Sequence, residues 1–280
     1  MKIIDISANQ GNIDWEKTSK QIDFAIVRAS VGMNKDTKYT RNIDGLSKYK
    51  IPYHAYHYIK AVTLNAARKE AQIFASATSG TNPVFYVIDA ECKAIANKKA
   101  KAIIEEFEAE LRRQVKDDIR VAIYIAHEKY KTWALNYSRY EYVWIPRYGK
   151  NTGSVEGSIK PAYKCDLWQY TSNGSVDGIK GRVDIDIINN GKPLSFFLTG
   201  IDNKEKNIIM QKGSKGREVK HLQSVLIALG YDLGKYGADG SYGNLTVAAV
   251  RGFQNDHGHQ QTGSVDDDLY DEMFVALTKK

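Results

Sequence analysis

Two cysteines, no long apolar run and no nucleic-acid motif set the first bounds on this 280-residue chain. Cys92 and Cys165 are too few for a disulfide framework. Cys92, next to Glu91, reads as a small buried residue rather than a nucleophile, and both thiols are expected free and reduced. No stretch approaches the ~18 apolar residues of a membrane span, so no helical membrane anchor is expected. The N-terminus, MKIIDISANQGNIDW, reaches an acid by its fifth residue and lacks the apolar core of a signal peptide. If the protein works outside the cell, something else must let it out. Helix-turn-helix signatures, zinc-finger spacings and RNP patterns are missing, so nucleic acid is not an expected partner. Histidines are few: His54 and His57 lie three apart on a candidate strand and so face opposite ways, and His257 and His259 have no obvious third ligand. No metal and no cofactor are expected.

What is present is an ordinary globular composition, 42% apolar and 26% charged, with an uneven charge. Residues 1–200 hold 30 Lys and Arg against 22 Asp and Glu, a net of +8, whereas residues 201–280 hold 10 against 11. The basic surplus belongs to the first part and suits a polyanionic partner, a nucleic acid or an anionic wall polymer.

The densest signal is Val84–Glu91, VFYVIDAE. An uncharged run rich in β-branched and aromatic residues follows Pro83 and stops at Asp89-Ala90-Glu91, which reads as a buried strand ending in two acids. Side chains two apart on a strand share a face, so both carboxylates point the same way. Such a pair suits glycoside hydrolysis, one carboxyl protonated to donate and one ionised to steady the developing cation. Acids just past a strand also cap helices, and that alternative stays open on this segment alone.

Around it, residues 1–190 read as eight strands: Lys2–Ile6, Phe24–Arg28, Pro52–Tyr58, Val84–Ile88, Val121–Ile125, Tyr142–Tyr148, Cys165–Tyr170 and Val183–Ile188. Thr63–Thr78 and Asn97–Lys116 have apolar residues at helical spacing and read as crossover helices. Strands alternating with helices argue a parallel sheet in an α/β fold, and eight of them argue closure into a TIM-like barrel. The later gaps, GKNTGSVEGSIKP and TSNGSVDGIKG, are too rich in Gly and Ser for helices. A barrel of this kind carries its site at the C-terminal ends of its strands. There the sequence places Asp5, Ser7, Arg28, Tyr56 to Tyr58, Asp89, Glu91, Tyr124, Arg147, Gln169 and Asp184. Acids supply the chemistry, and aromatic faces with polar ends suit sugar rings.

Three ordered segments then carry a resemblance: DISANQGNIDW at Asp5–Trp15, VIDAE at Val87–Glu91, and Gln169–Asp184, which opens QYT and closes on VDGIKGRVD. Together they resemble the motifs of glycoside hydrolase family 25 muramidases, lysozymes common among bacteriophage endolysins, over about residues 1–190. The resemblance implies an irregular (β/α)5(β)3 barrel that hydrolyses the β-1,4 bond between N-acetylmuramic acid and N-acetylglucosamine in bacterial peptidoglycan. It implies Glu91 as general acid, Asp89 as the charged partner that assists the nucleophile, and Asp5 and Asp184 as further acidic lining. Ser7, Tyr56, Tyr58, Tyr124, Trp144 and Gln169 are expected to position sugars. Retention is expected, with the substrate's acetamido group assisting. Asn9 stands where the family often has His. The enzyme is then expected to be made in the host cytoplasm and to act on the wall after release. A binding-only relative with an inactive barrel is the alternative, and chitin is a weaker substrate reading.

The barrel is expected to end at residue 198, with Leu194–Leu198 closing it, and 199–209 is expected to be a linker. Residues 210–280 read as three short amphipathic helices carrying Val219, Leu222, Leu226 and Leu229, then Val247, Val250 and Phe253, then Leu269, Met273 and Leu277. KGSKGREVKHLQ, DGSYGNLT and AVRGFQ resemble the three-helix peptidoglycan-binding domain, with Thr246 placed to cap the second helix. A structural or dimerisation module is the plainer alternative. Met210 stands just before this module, so an internal start there would yield a free binding module able to associate with the full chain.

Overall fold

The computed structural model describes residues 2–115, 119–189, 191–200 and 210–278. The chain divides into two compact units, Met1–Ile201 and Asp202–Lys280.

The first unit is a closed barrel. Its strands are β1 (Lys2–Ile6), β2 (Ile22–Val31), β4 (Tyr53–Tyr58), β5 (Tyr86–Ala90), β6 (Val121–Ile125), β7 (Val143–Pro146), β8 (Leu167–Gly174) and β9 (Val183–Ile188), with a short β3 (Asn34–Lys35) folded back on β2. They are ordered β1-β9-β8-β7-β6-β5-β4-β2, and β1–β2 pairing closes the ring. Helices α1 (Trp15–Thr18), α2 (Tyr39–Lys48), α3 (Leu64–Thr78), α4 (Asn97–Val115) and α5 (Tyr130–Trp133) follow the first five barrel strands. The last three strands are joined without helices, which gives the (β/α)5(β)3 pattern. Thr63 caps α3 by accepting from the Ala66 N–H. In α2, Gly45 is required by contact, since a Cβ there would lie 2.1 Å from Trp15 Nε1.

Alternation sorts the strand residues into two cores. Outward residues such as Ile4, Val27, Ala55, Ile88 and Ile123 pack under the helices. Inward residues Phe24, Ile26, Phe85, Val87, Tyr142, Trp144 and Leu167 fill the barrel. At the end of the barrel formed by the strands' starts sits α6 (Leu194–Thr199), whose Phe196 and Phe197 are fully buried among them. Each such ring contributes about 2–3 kcal/mol by burial. His54 belongs to this plug: Nε2 and Nδ1 each lie 2.8 Å from their partners, the Phe197 carbonyl and the Tyr142 hydroxyl. Burial pushes it down to about 3, so it stays neutral there. With one end filled, the open end is the other.

Three expectations are corrected. Leu194–Leu198, the run expected to close the barrel, is part of helix α6, and Thr199 belongs to the same helix, so the expected linker begins inside α6; residues 201–209 lie outside the described residues. β9 runs antiparallel to both β8 and β1. Asp184 therefore reaches the open end from the start of its strand, not from its end. Helix α2 and the β2–β3 hairpin were not legible from periodicity. Nor does Thr246 cap a helix, as the module shows.

The second unit packs α7 (Arg217–Leu229), α8 (Asn244–Asp256) and α9 (Asp267–Thr278) around Val219, Leu222, Leu226, Val250, Phe253, Leu269 and Met273. Met210 is buried in the same core, and its backbone pairs with Val265 in both directions. Thr246 is buried inside α8 and its hydroxyl accepts from Gln223, while the cap position is Gly243. Among the described residues no helix is long and apolar enough to cross a membrane.

Candidate active site

Inward-facing positions at the open end converge from six strands. Asp5 is the upper inward residue of β1, and Asp184 stands opposite it on β9. Asp89 on β5 is in register with Tyr58 on one side and Tyr124 on the other. Glu91 follows β5 directly, half-buried at the rim, whereas Asp5 and Asp89 are buried beneath it. The four acids singled out in the sequence thus stand at the same end of the barrel. Gln169 on β8 organises them: its Nε2 donates to Asp5, and its Oε1 accepts from Tyr148 and, at 3.2 Å, from Tyr124.

The electrostatics follow from crowding acids in a space with little water. Burial pushes Asp5 well above the ordinary carboxylate range, and the charges of Asp184, Asp186 and Asp89 add to it, against the Gln169 hydrogen bond. Asp184 is pushed up to about 6, by burial and then by Glu91. Burial is also the largest cause of the upward shift at Glu91, where Tyr124 and Lys93 oppose and Glu128 reinforces. Asp89 is pushed well up by burial and by Glu91, while the Arg28 guanidinium pulls it back. Of the charges acting on Asp89, that of Arg28 favours its ionised form. Carboxyls this close do not ionise independently of one another.

Three residues missed in the sequence complete the site. Asp186, two residues after Asp184 on the same face, is buried; its Oδ1 accepts from Trp144 Nε1 at 2.7 Å and its Oδ2 has no partner. The same-face rule that paired Asp89 with Glu91 applies to it unchanged. Tyr148, just beyond β7, holds Gln169. Asp36 clamps Arg28 Nε at 2.8 Å and accepts from the Ala8 N–H at 3.1 Å. Its place after a hairpin gave no signal.

Several expected sugar contacts fall elsewhere. Ser7 is buried and its oxygen accepts from the Asn9 N–H as the cap of a 3₁₀ turn, Ala8–Gln10. Trp144 is 2% exposed, its edge toward Asp186 and its ring 4.5 Å from that of Tyr124, so it lies under the site and is no stacking platform. Tyr56, Tyr124 and Gln169 are buried in the wall, and Tyr58 is partly open at the rim. Cys92 is half-buried and Cys165 buried, both free.

Comparison with known proteins bears on the family and the fold. The sequence pattern of glycosyl hydrolases family 25 matches residues 4–179, and that of a putative peptidoglycan binding domain matches residues 215–273. The autolytic lysozyme of Clostridium acetobutylicum is 24% identical over 265 residues, 91% of this chain and 73% of its own. The catalytic domain of the endolysin ply40, from bacteriophage P40 of Listeria monocytogenes, superposes with a TM-score of 0.65 at 25% identity, covering 71% of this chain and 97% of that one. The CTP1L endolysin, whose activity is regulated by a secondary translation product, shares the fold with a TM-score of 0.55 at 23% identity, over 81% and 79% of the two chains. With its barrel matched over most of its length and its acids gathered at the open end, the chain belongs to glycosyl hydrolases family 25, the lysozymes and muramidases that hydrolyse peptidoglycan, and carries a peptidoglycan-binding domain after the barrel.

Proposed function

We propose that this chain is a retaining N-acetylmuramidase of the endolysin type in which Glu91 is the general acid and Asp89 assists the substrate's own acetamido group. The observation that carries the reading is the placement of Glu91 at the rim directly above buried Asp89, with Asp5 and Asp184 beside them. In the first step the Glu91 proton passes to the glycosidic oxygen as the C1–O bond breaks. The acetamido carbonyl oxygen closes on C1, and Asp89 accepts a hydrogen bond from the acetamido N–H, steadying its positive charge. In the second step Glu91, now a carboxylate, takes a proton from the water that opens this ring at C1. The configuration at C1 is retained, because it is inverted twice. Burial favours the protonated form of Glu91 that this step needs, against Tyr124 and Lys93.

Proton donation by a positioned acid is worth ~10²–10⁴-fold in rate. The substrate assignment is tested by digesting purified cell walls, reducing the products with borohydride and reading the ends by mass spectrometry. Reduced muramic acid ends are expected. Reduced N-acetylglucosamine ends would make the enzyme a glucosaminidase and overturn the reading.

A second reading concerns assembly. Met210 opens the described part of the C-terminal unit and is built into its core, so a chain started at Met210 keeps every core residue of the module. We infer that such a fragment is made and joins the full-length chain, adding wall-binding modules to one barrel and raising retention ~10²-fold through avidity. The regulation of the CTP1L endolysin by a secondary translation product supports it.

A further inference from the structure

We propose that Ser30, His57 and Glu70 form a positioning network that fixes the bulge in β2 and thereby holds Arg28 where its charge acts on Asp89. The proposal rests on the reading of Asp89 as the ionised partner of Glu91.

The three side chains lie outside the barrel wall, in the layer between strands and helices. Ser30 Oγ is 2.8 Å from His57 Nδ1, and His57 Nε2 is 3.0 Å from Glu70 Oε2 on α3. The same Glu70 oxygen accepts from the Lys60 N–H at 2.8 Å, just past the end of β4. A carboxylate oxygen can only accept, so the proton on the ring sits at Nε2 and the Ser30 hydroxyl donates to Nδ1. Ser30 and His57 are fully buried and Glu70 is 3% exposed. Phe74 and Phe107 flank the imidazole at 5.6 and 4.9 Å. None of the three meets substrate.

Their neighbours in this layer are alanines, isoleucines and phenylalanines, and a polar group buried there costs stability unless it is fully paired. What the network holds is the one irregularity between β2 and β4. Arg28 pairs with Tyr56 and Ser30 with His57, so two steps along β2 match one step along β4, and Ala29 is the extra residue. The Ala29 carbonyl, freed by the bulge, accepts from the Asp36 N–H at 2.9 Å. Asp36 in turn holds Arg28 Nε at 2.8 Å and the Lys38 N–H at 2.8 Å. The chain of contacts thus runs from α3 through His57 and the bulge to the guanidinium. Slippage into regular register would carry the β2 residues beyond the bulge to the opposite face and dismantle the clamp on Arg28.

The consequence lies at Asp89. The titratable and charged groups that interact with it through charge are Asp5 from β1, Arg28 from β2, Tyr56 and Tyr58 from β4, Glu91 beyond its own strand and Tyr124 from β6. Arg28 is the only cation in that set. Loosening it leaves acids and phenols around a buried carboxyl, so Asp89 ionises at higher pH while sugar binding is unchanged.

The test is the pH dependence of kcat and KM on a soluble wall-derived tetrasaccharide, measured for the full chain, His57→Phe, Ser30→Ala, Arg28→Met and the double variants with Arg28→Met. We expect the acid limb of kcat to move up by about one pH unit in His57→Phe and in Ser30→Ala, tenfold in activity at the foot of the limb, with KM within twofold. In the Arg28→Met background neither change should move the limb further. An unmoved limb in a folded Ser30→Ala or His57→Phe, or shifts that simply add in the double variants, would overturn the proposal. Ser30→Ala removes one hydroxyl and serves where His57→Phe fails to fold. Asp89→Asn is assayed in parallel: parent activity there would contradict the role of Asp89 itself, independently of the network.

Discussion

Asp5 and Asp184 are directly paired across the antiparallel β1–β9 ladder, both inside the barrel. Directly opposed residues have Cβ atoms about 4.5–5.5 Å apart, and like charges at that separation destabilise a sheet. The family site is thus built on an arrangement that opposes folding, and it should show in stability.

Asp184 is raised from 3.8 to about 6 in the folded chain. A carboxyl raised on folding stabilises fully below its unfolded value and loses that contribution as pH rises through its folded value. Asp184→Asn should therefore melt higher than the parent at pH 7, by on the order of 2 kcal/mol. The difference should shrink between pH 6 and pH 4 and be gone below that. Thermal unfolding across this range checks it, and a variant less stable at pH 7 than at pH 4, relative to the parent, would contradict it.

Trp144 lies under the site and donates to Asp186. Trp144→Phe keeps an aromatic side chain, smaller than the indole, and removes the donor to Asp186 Oδ1. We expect kcat to fall roughly tenfold, as for about 1.4 kcal/mol lost in the transition state, with KM within twofold. A raised KM at unchanged kcat would restore the stacking role that the burial argues against.

In the C-terminal unit Gln223 is 1% exposed and ties four groups: Nε2 donates to Asp239, the Ser241 carbonyl and Thr246, and Oε1 accepts from the Gly240 N–H. Gln254 repeats the plan with Thr262, Ser264 and Gly263. Gln223→Ala should destabilise the module by about 2–3 kcal/mol through the buried groups left unpaired. Sedimentation with purified walls should show weaker binding.

Much of this was legible in sequence because period-2 runs and helical periods report burial directly. Asp89 and Glu91 stood out as charges ending an apolar strand, and helical spacing marked the module's Val219, Leu222, Leu226, Val250, Phe253, Leu269 and Met273, while Leu233, Tyr242 and Val265 reach the same core from turns that carry no period. The antiparallel course of β9 was not legible, since a Gly-rich gap of the length before Val183 permits either direction. Burial of Ser7 and Trp144 depends on which residues the barrel closes over, a property of the assembled ring. Asp36 and Tyr148 come from loops, where no periodicity marks which side chain turns inward.

Met210→Leu in the native gene tests the assembly reading. The parent gene should give two bands on a denaturing gel and a solution mass above the monomer, and the variant only the longer band. A single full-length band from the parent, with a monomeric mass, would rule out the fragment.

The most direct measurement is the rate of wall hydrolysis by Glu91→Gln, with melting temperature and wall binding measured on the same preparation. The amide is nearly isosteric with the acid but has no proton to donate. We expect turnover to fall by ~10²–10⁴-fold while folding and binding match the parent. Turnover close to that of the parent would contradict the assignment of Glu91 as the proton donor and, with it, the mechanism.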